Sequence, residues 1–261
     1  MLGKLVKHEF KDTMRLFLPM FGFIAVLTPV FSFMMRIGSS YQETAGDSSA
    51  LDIVFGSGIT GYLLLLFALI IITQVLIVMR FYRTMASTEA YLTFTLPAKT
   101  GSILFSKWIV SMVWYVISLI IAAASVLMVL LIATPVTPGD ISEAISFVTR
   151  YIEFDDFITL FLFGLMVLCS ISLTILRMYV SVMIGQLAKT HRVALSIGIY
   201  LALSQGLSVV LSLMMIPFFF LIESIDSINV LFLFAIIGNG ILAVGFYVVT
   251  YFLTAKKLNI K

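Results

Sequence analysis

The chain has 261 residues, 61% of them hydrophobic and only 11% charged, where an ordinary soluble domain carries roughly 25% charged residues. A compact soluble fold of this length has too little interior for that much apolar surface, so much of it must face lipid. This excludes a soluble enzyme, a disordered chain and a disulfide scaffold (Cys169 is the one cysteine), and the scattered net charge of +3 leaves no footprint for nucleic acid.

The first sixteen residues read as an interfacial elbow helix. Leu2, Leu5, Val6, Phe10 and Met14 share one stripe, with Lys4, Lys7, His8, Lys11 and Arg15 on the other side. Such a helix lies along a leaflet and meets anionic lipid through its lysines, with a plain cytoplasmic extension of the first span as the competing reading. The segment does not read as a signal peptide, because no small-residue cleavage site closes it.

Residues 17–261 read as a single transmembrane domain. Six apolar stretches reach the roughly 20 residues that a helix needs to cross a bilayer. They are Phe17–Met35, Ile59–Met79, Trp108–Ile132, Phe157–Ile184, Val193–Phe220 and Val230–Phe252. Their apolar runs are continuous rather than alternating, which argues against a barrel. The predicted fold is therefore all-α: a polytopic membrane protein with six transmembrane helices.

The segments between the spans differ in character. Arg36–Gly58 is rich in Ser, Gly and Thr without a clear period and reads as loop. Arg80–Lys107 is longer than a turn requires, and it is not polar. Within it, Ser87–Thr95 has helix-start residues, an acid in the first turn (Glu89) and a stop before Pro97. Ala90, Tyr91 and Phe94 fall on one face, while Leu92 and Leu96 point the other way. A short helix apolar on two sides meets lipid or the chain's own spans on one and a protein partner on the other, with an amphipathic helix merely resting on the membrane as the competing reading. Ala133–Asp156 is acidic and holds a short helix capped by Asp140, with Glu143 as the capping-box partner.

Charge sets the predicted sidedness. With both termini cytoplasmic, only Arg36 and Arg150 of the 16 basic residues lie outside. Of the 13 acids, only Glu9, Asp12 and Glu89 then lie inside.

Several chemistries are sought without result. There is no G-x-x-x-x-G-K-[ST] phosphate loop. His8 and His191 lie far apart with no metal-ligand spacing, and Gly56-Ser57-Gly58 has no histidine base to accompany it. The sequence thus predicts no catalytic residues, no metal site and no cofactor of its own. Gln74, Gln205 and Asn239 read as interhelical hydrogen-bonding amides, and Arg177 lies in the cytoplasmic part of span four, in reach of the interface by snorkelling. Without a chain of buried acids, an ion-coupled transporter is disfavoured.

Span five carries the clearest packing pattern. Ala194, Gly198, Ala202 and Gly206 recur every four residues, and Ser196, Ser204, Ser208 and Ser212 nearly fill a second row. One small-residue row serves the chain's own bundle, and the first is assigned here to a second subunit. In span three, Met112, Trp114 and Tyr115 are candidates to line a path for an amphipathic substrate, with internal packing as the competing reading for each.

Two stretches carry a family resemblance. The opening MLGKLVKHEFKDTMRLFLPM, with Lys4, Lys7, Glu9, Phe10 and Lys11, resembles the N-terminal elbow of the permease subunits of bacterial type-2 ATP-binding-cassette (ABC) exporters. RFYRTMASTEAYLTFTLPAKTGSILFSKW resembles that group's most recognisable segment through Glu89, Tyr91, Leu92, Phe94, Thr95, Leu96, Pro97, Ser106 and Lys107. Thr88 stands where an acid is commoner, and Ala90 where glycine is common. LSQG at Leu203–Gly206 faintly resembles the ABC signature motif, but it lies inside span five where no nucleotide reaches it.

The resemblance implies a six-span exporter permease with a second permease subunit as partner. It also implies a separate cytoplasmic ABC ATPase that holds ATP and Mg. Coupling to that ATPase would run through the short helix after span two, with Ser87, Glu89, Tyr91, Phe94, Thr95 and Pro97 as contact residues. The substrates of the class include amphipathic peptides, drugs, lipids and polysaccharides, and the location would be the bacterial cell membrane. A membrane sensor or assembly subunit without transport is the alternative.

Overall fold

A computed structural model describes residues 2–45, 49–87, 99–133, 139, 142, 146, 154–188, 191–222 and 228–256. Nearly all the described residues are helical, and they form six long helices in order: α1 (Leu2–Ala45), α2 (Ser49–Met85), α3 (Thr100–Ala133), α4 (Phe154–Gly185), α5 (Arg192–Ile222) and α6 (Ile228–Lys256). Each contains a stretch long and apolar enough to cross a membrane. Every span read from the sequence falls inside one of them, as continuous apolar runs of that length require. Large side chains such as Phe23, Phe67, Ile120, Phe161, Ile197 and Ile241 are exposed along these helices. In water they would be a liability; in a bilayer they are the lipid-facing surface.

The structure corrects two boundaries. The amphipathic first sixteen residues and span one, expected as two elements, form one uninterrupted helix. Nothing in Leu2–Leu18 breaks a helix, and Pro19 and Pro29 both sit inside α1. A transmembrane helix tolerates such prolines because neighbouring groups re-satisfy the freed carbonyls. The second correction is Arg36–Gly58, read as loop, most of which continues α1 and begins α2. Its Ser, Gly and Thr residues lower helix propensity without terminating a helix, and the stretch has no proline. The outer helix capped by Asp140 lies outside the described residues, apart from the helical Gly139, Ser142 and Ser146.

The chain divides into two compact units, to both of which α1, α2 and α3 contribute segments. The first comprises Met1–Glu9, Ile77–Met112 and Glu153–Lys261. Its core is the second half of α4, where Ile175, Leu176, Met178, Tyr179, Val180, Val182 and Met183 are all buried. The Tyr179 ring stacks on Phe81, its hydroxyl pairs with Ser111 Oγ at 2.7 Å, and Trp108 donates to Ser172 Oγ at 3.1 Å. Both α5 and α6 pack against α4. At the α4–α5 turn, a Cβ added to Gly185 would stand 2.9 Å from Ser196 Cα, so only glycine allows this approach. His191, in the left-handed region at φ 55°, turns the chain into α5 and accepts the Leu195 N–H on its carbonyl.

The second unit comprises Phe10–Leu76 and Val113–Ile152. Here α2 and α3 are joined by buried or part-buried polar pairs: Tyr62 to Ser125, Thr73 to Ser118, and Gln74 to the Tyr115 hydroxyl, at 2.9–3.0 Å. Partners descend along α3 as they ascend along α2, the order that antiparallel neighbours require. Hydrogen bonds of this kind hold helices together where lipid offers no hydrophobic drive between them.

Candidate functional site

The N-terminal turns of α1 place Glu9 between two cations. Its Oε1 accepts Lys107 Nζ at 3.0 Å and Arg80 Nε at 3.3 Å. Lys107 comes from the start of α3 and Arg80 from the last turns of α2, so one carboxylate ties both helix ends. The Lys107 side chain is only 6% exposed, against 17% for Glu9 and 25% for Arg80. An ammonium that deeply buried needs an anion beside it, and Glu9 supplies one. Tyr179 closes the site from α4 by donating to the Lys107 carbonyl at 3.3 Å.

The two flanks of the junction lead into the 88–98 segment. On the α2 side, Ser87 follows the helix and donates to the Arg83 carbonyl at 2.6 Å. On the α3 side, the Ser102 and Ile103 amides donate to the Lys99 carbonyl. Glu89, Tyr91, Phe94, Thr95 and Pro97 lie outside the described residues.

Two of the three residues of span three named as candidates for a substrate path are engaged in packing. Trp114 is 4% exposed and its indole lies flat between Phe10 and Phe17, with centroids 4.7 Å away on each side. Its Nε1 donates to Thr13 Oγ1 at 2.7 Å. Phe10, Thr13 and Phe17 are spaced three and four residues apart, so they share the face of α1 that receives the indole. Tyr115 is buried and accepts the Gln74 amide, while Met112 is part-buried. Of the three, two are interior side chains that join α3 to α1 and α2.

The residues that the sequence assigned to dimer packing lie on α5. Ala194, Gly198, Ala202 and Gly206 are all exposed on α5, and a Cβ added to Gly198 or Gly206 would meet nothing within 4 Å. The second row is mixed, with Ser196 buried against Gly185 while Ser208 and Ser212 are exposed. Among the described residues there is no group of three or more His, Cys, Asp or Glu placed to hold a metal ion.

No protein-family model matches the chain, and no curated protein or solved structure matches it either.

Sequence reasoning missed the partnership of Glu9 with Arg80 and Lys107, which it had used only as markers of sidedness and resemblance. A signal was present: Glu9 is one of only two acids in a strongly basic N-terminal segment, and Lys107 stands directly against the apolar run that begins at Trp108. It also missed the role of Tyr200, whose ring lies under the Arg177 guanidinium at 5.2 Å.

Proposed function

We propose that this chain is the transmembrane permease subunit of an ATP-driven ABC exporter of the type-2 class. In this reading it moves an amphipathic or hydrophobic substrate (a peptide toxin, an antimicrobial peptide or a drug) out of the cell. Hydrolysis takes place in a separate ATPase chain, a second permease completes the transmembrane unit, and both termini face the cytoplasm of a bacterial cell.

The observation that supports this reading best is the bond between Glu9 and Lys107. Glu9 belongs to the opening stretch that resembles an exporter elbow, and Lys107 closes the stretch that resembles the coupling segment. Two motifs remote in sequence thus meet at one ion pair. The physical consequence suits the role. A short segment that receives a push from an ATPase moves spans only if both its ends are firmly mounted. Glu9 joins the last turns of α2 to the first turns of α3, so a force on residues 88–98 would reach both helices together.

Expression of the full chain with the cassette ATPase encoded beside it tests the reading. The permease assignment predicts that the two copurify from membranes and that substrate stimulates hydrolysis. A chain that purifies without any ATPase, from membranes in which that ATPase is present, belongs instead to the sensor or assembly class.

A further inference from the structure

We propose that Arg177 and Tyr200 form a binding site within the membrane for the phosphate of an anionic phospholipid. Arg177 lies on α4 eight residues before its end at Gly185, about 12 Å along the axis at 1.5 Å per residue. Its Nε is buried without a hydrogen-bond partner, and it is one of two such side-chain atoms among the described residues. An arginine stays charged in any protein environment, and a charge at this depth calls for a partner.

Among the described residues, none supplies an anion to Arg177. Within α4 the only acids are Asp155 and Asp156 at the opposite end, and α5 and α6 contain none. Nor do the nearest hydroxyls on α4 help: Thr174 donates to the Ser170 carbonyl, and Ser181 donates to the carbonyl of Arg177 itself. Glu9, the acid that this unit draws from α1, already serves Lys107 and Arg80.

What the chain does supply is a cradle for the cation. The guanidinium carbon lies over the Tyr200 ring, 5.2 Å from its centroid, in a cation–π contact. A cation–π contact uses no N–H group, and two parallel bonds from a guanidinium fit a phosphate. Arg177 and Tyr200 are both partly exposed, and Leu201, which follows Tyr200 on α5, is one of the exposed apolar side chains of that helix. The open side of the site is therefore lipid, where the available anions are headgroups. On the charge distribution this end of α4 is cytoplasmic, with Lys189 and Arg192 following. The occupant is then a lipid of the inner leaflet, drawn slightly inward. An anionic lipid fits better than a zwitterionic one, because the latter brings its own cation to a site that already holds one.

Native mass spectrometry of the full chain in detergent tests this, with phosphatidylglycerol, phosphatidylcholine and inorganic phosphate as separate probes. Wild type should retain phosphatidylglycerol roughly tenfold more tightly than phosphatidylcholine, with Arg177→Gln removing the preference and Arg177→Lys keeping part of it. Tyr200→Phe should bind as wild type does, whereas Tyr200→Leu should bind several-fold more weakly. Equal retention of the two lipids by wild type would overturn the proposal, a result that needs no variant to fold. So would unchanged preference in Arg177→Gln of native helical content. Binding of inorganic phosphate without retained lipid would assign the site to a soluble anion and overturn the lipid assignment.

Discussion

Glu9 and Lys107 are 98 positions apart in the chain, yet their side chains meet at 3.0 Å. Because Arg80 shares the same carboxylate oxygen at 3.3 Å, the pair is the centre of a three-residue junction between the start of α1, the end of α2 and the start of α3. Its weight lies on the lysine, which has the least contact with water of the three.

Replacing Glu9 by Gln should therefore cost stability chiefly by removing the carboxylate charge from beside the buried Lys107 ammonium. A hydrogen bond to a charged group contributes about 1.5–3 kcal/mol, and partial exposure of Glu9 places the expected loss near the lower figure. Lys107→Met removes the need for the anion. In that background Glu9→Gln should cost measurably less, and thermal unfolding of the four proteins in detergent gives the coupling directly. Equal cost in both backgrounds would mean that the pair contributes nothing of its own.

Trp114 anchors α1 to α3 through two stacked rings and one hydrogen bond. Trp114→Ala should lower stability by roughly 3 kcal/mol, the lower end for losing a large aromatic from a packed interior. Trp114→Phe retains stacking but abandons the Thr13 hydroxyl, so about 1 kcal/mol is expected. If the side chain lined an open path instead, Trp114→Ala would leave unfolding unchanged and alter only transport.

The glycines of α4 and α5 should respond in opposite ways. Gly185→Ala puts a methyl group against Ser196, and the helices must separate; adding Ser196→Gly relieves only part of this, because Ser196 Cα is itself 2.9 Å from the new carbon. A Cβ at Gly198 or Gly206 meets nothing within 4 Å and both positions are exposed, so with Gly198→Leu or Gly206→Leu the single chain should fold as before. If α5 pairs with a second permease through this row, both leucine variants should weaken the dimer seen by cross-linking in membranes. A dimer of undiminished strength would remove α5 from the interface.

The six spans were legible because a crossing helix is a property of composition and length, which any 20-residue window displays. The helical reach of α1 to Ala45 and of α2 back to Ser49 was not legible, since Ser, Gly and Thr weaken a helix without specifying its end. Trp114 marks the harder limit. A tryptophan in an apolar run reads alike whether it faces a substrate, lipid or two phenylalanines, and only the position of α1 decides. Glu9 shows the converse: its type and basic surroundings signalled a charge partner, but the choice among the lysines and arginines beyond its own turn depends on the fold.

The coupling assignment rests on the segment between Arg80 and Lys107, and within it on Tyr91 and Phe94. The central measurement is ATPase binding and substrate-stimulated hydrolysis by the Tyr91→Ala/Phe94→Ala double variant, reconstituted with the cassette ATPase in lipid. Aromatic anchors seated in a partner's groove cost about 2 kcal/mol or more each when truncated, roughly thirtyfold in affinity. The account predicts that the six spans insert normally, the ATPase is released and stimulation is lost, while Glu89→Gln changes the rate of association more than the affinity. A double variant that still binds the ATPase and still stimulates hydrolysis with substrate would contradict it.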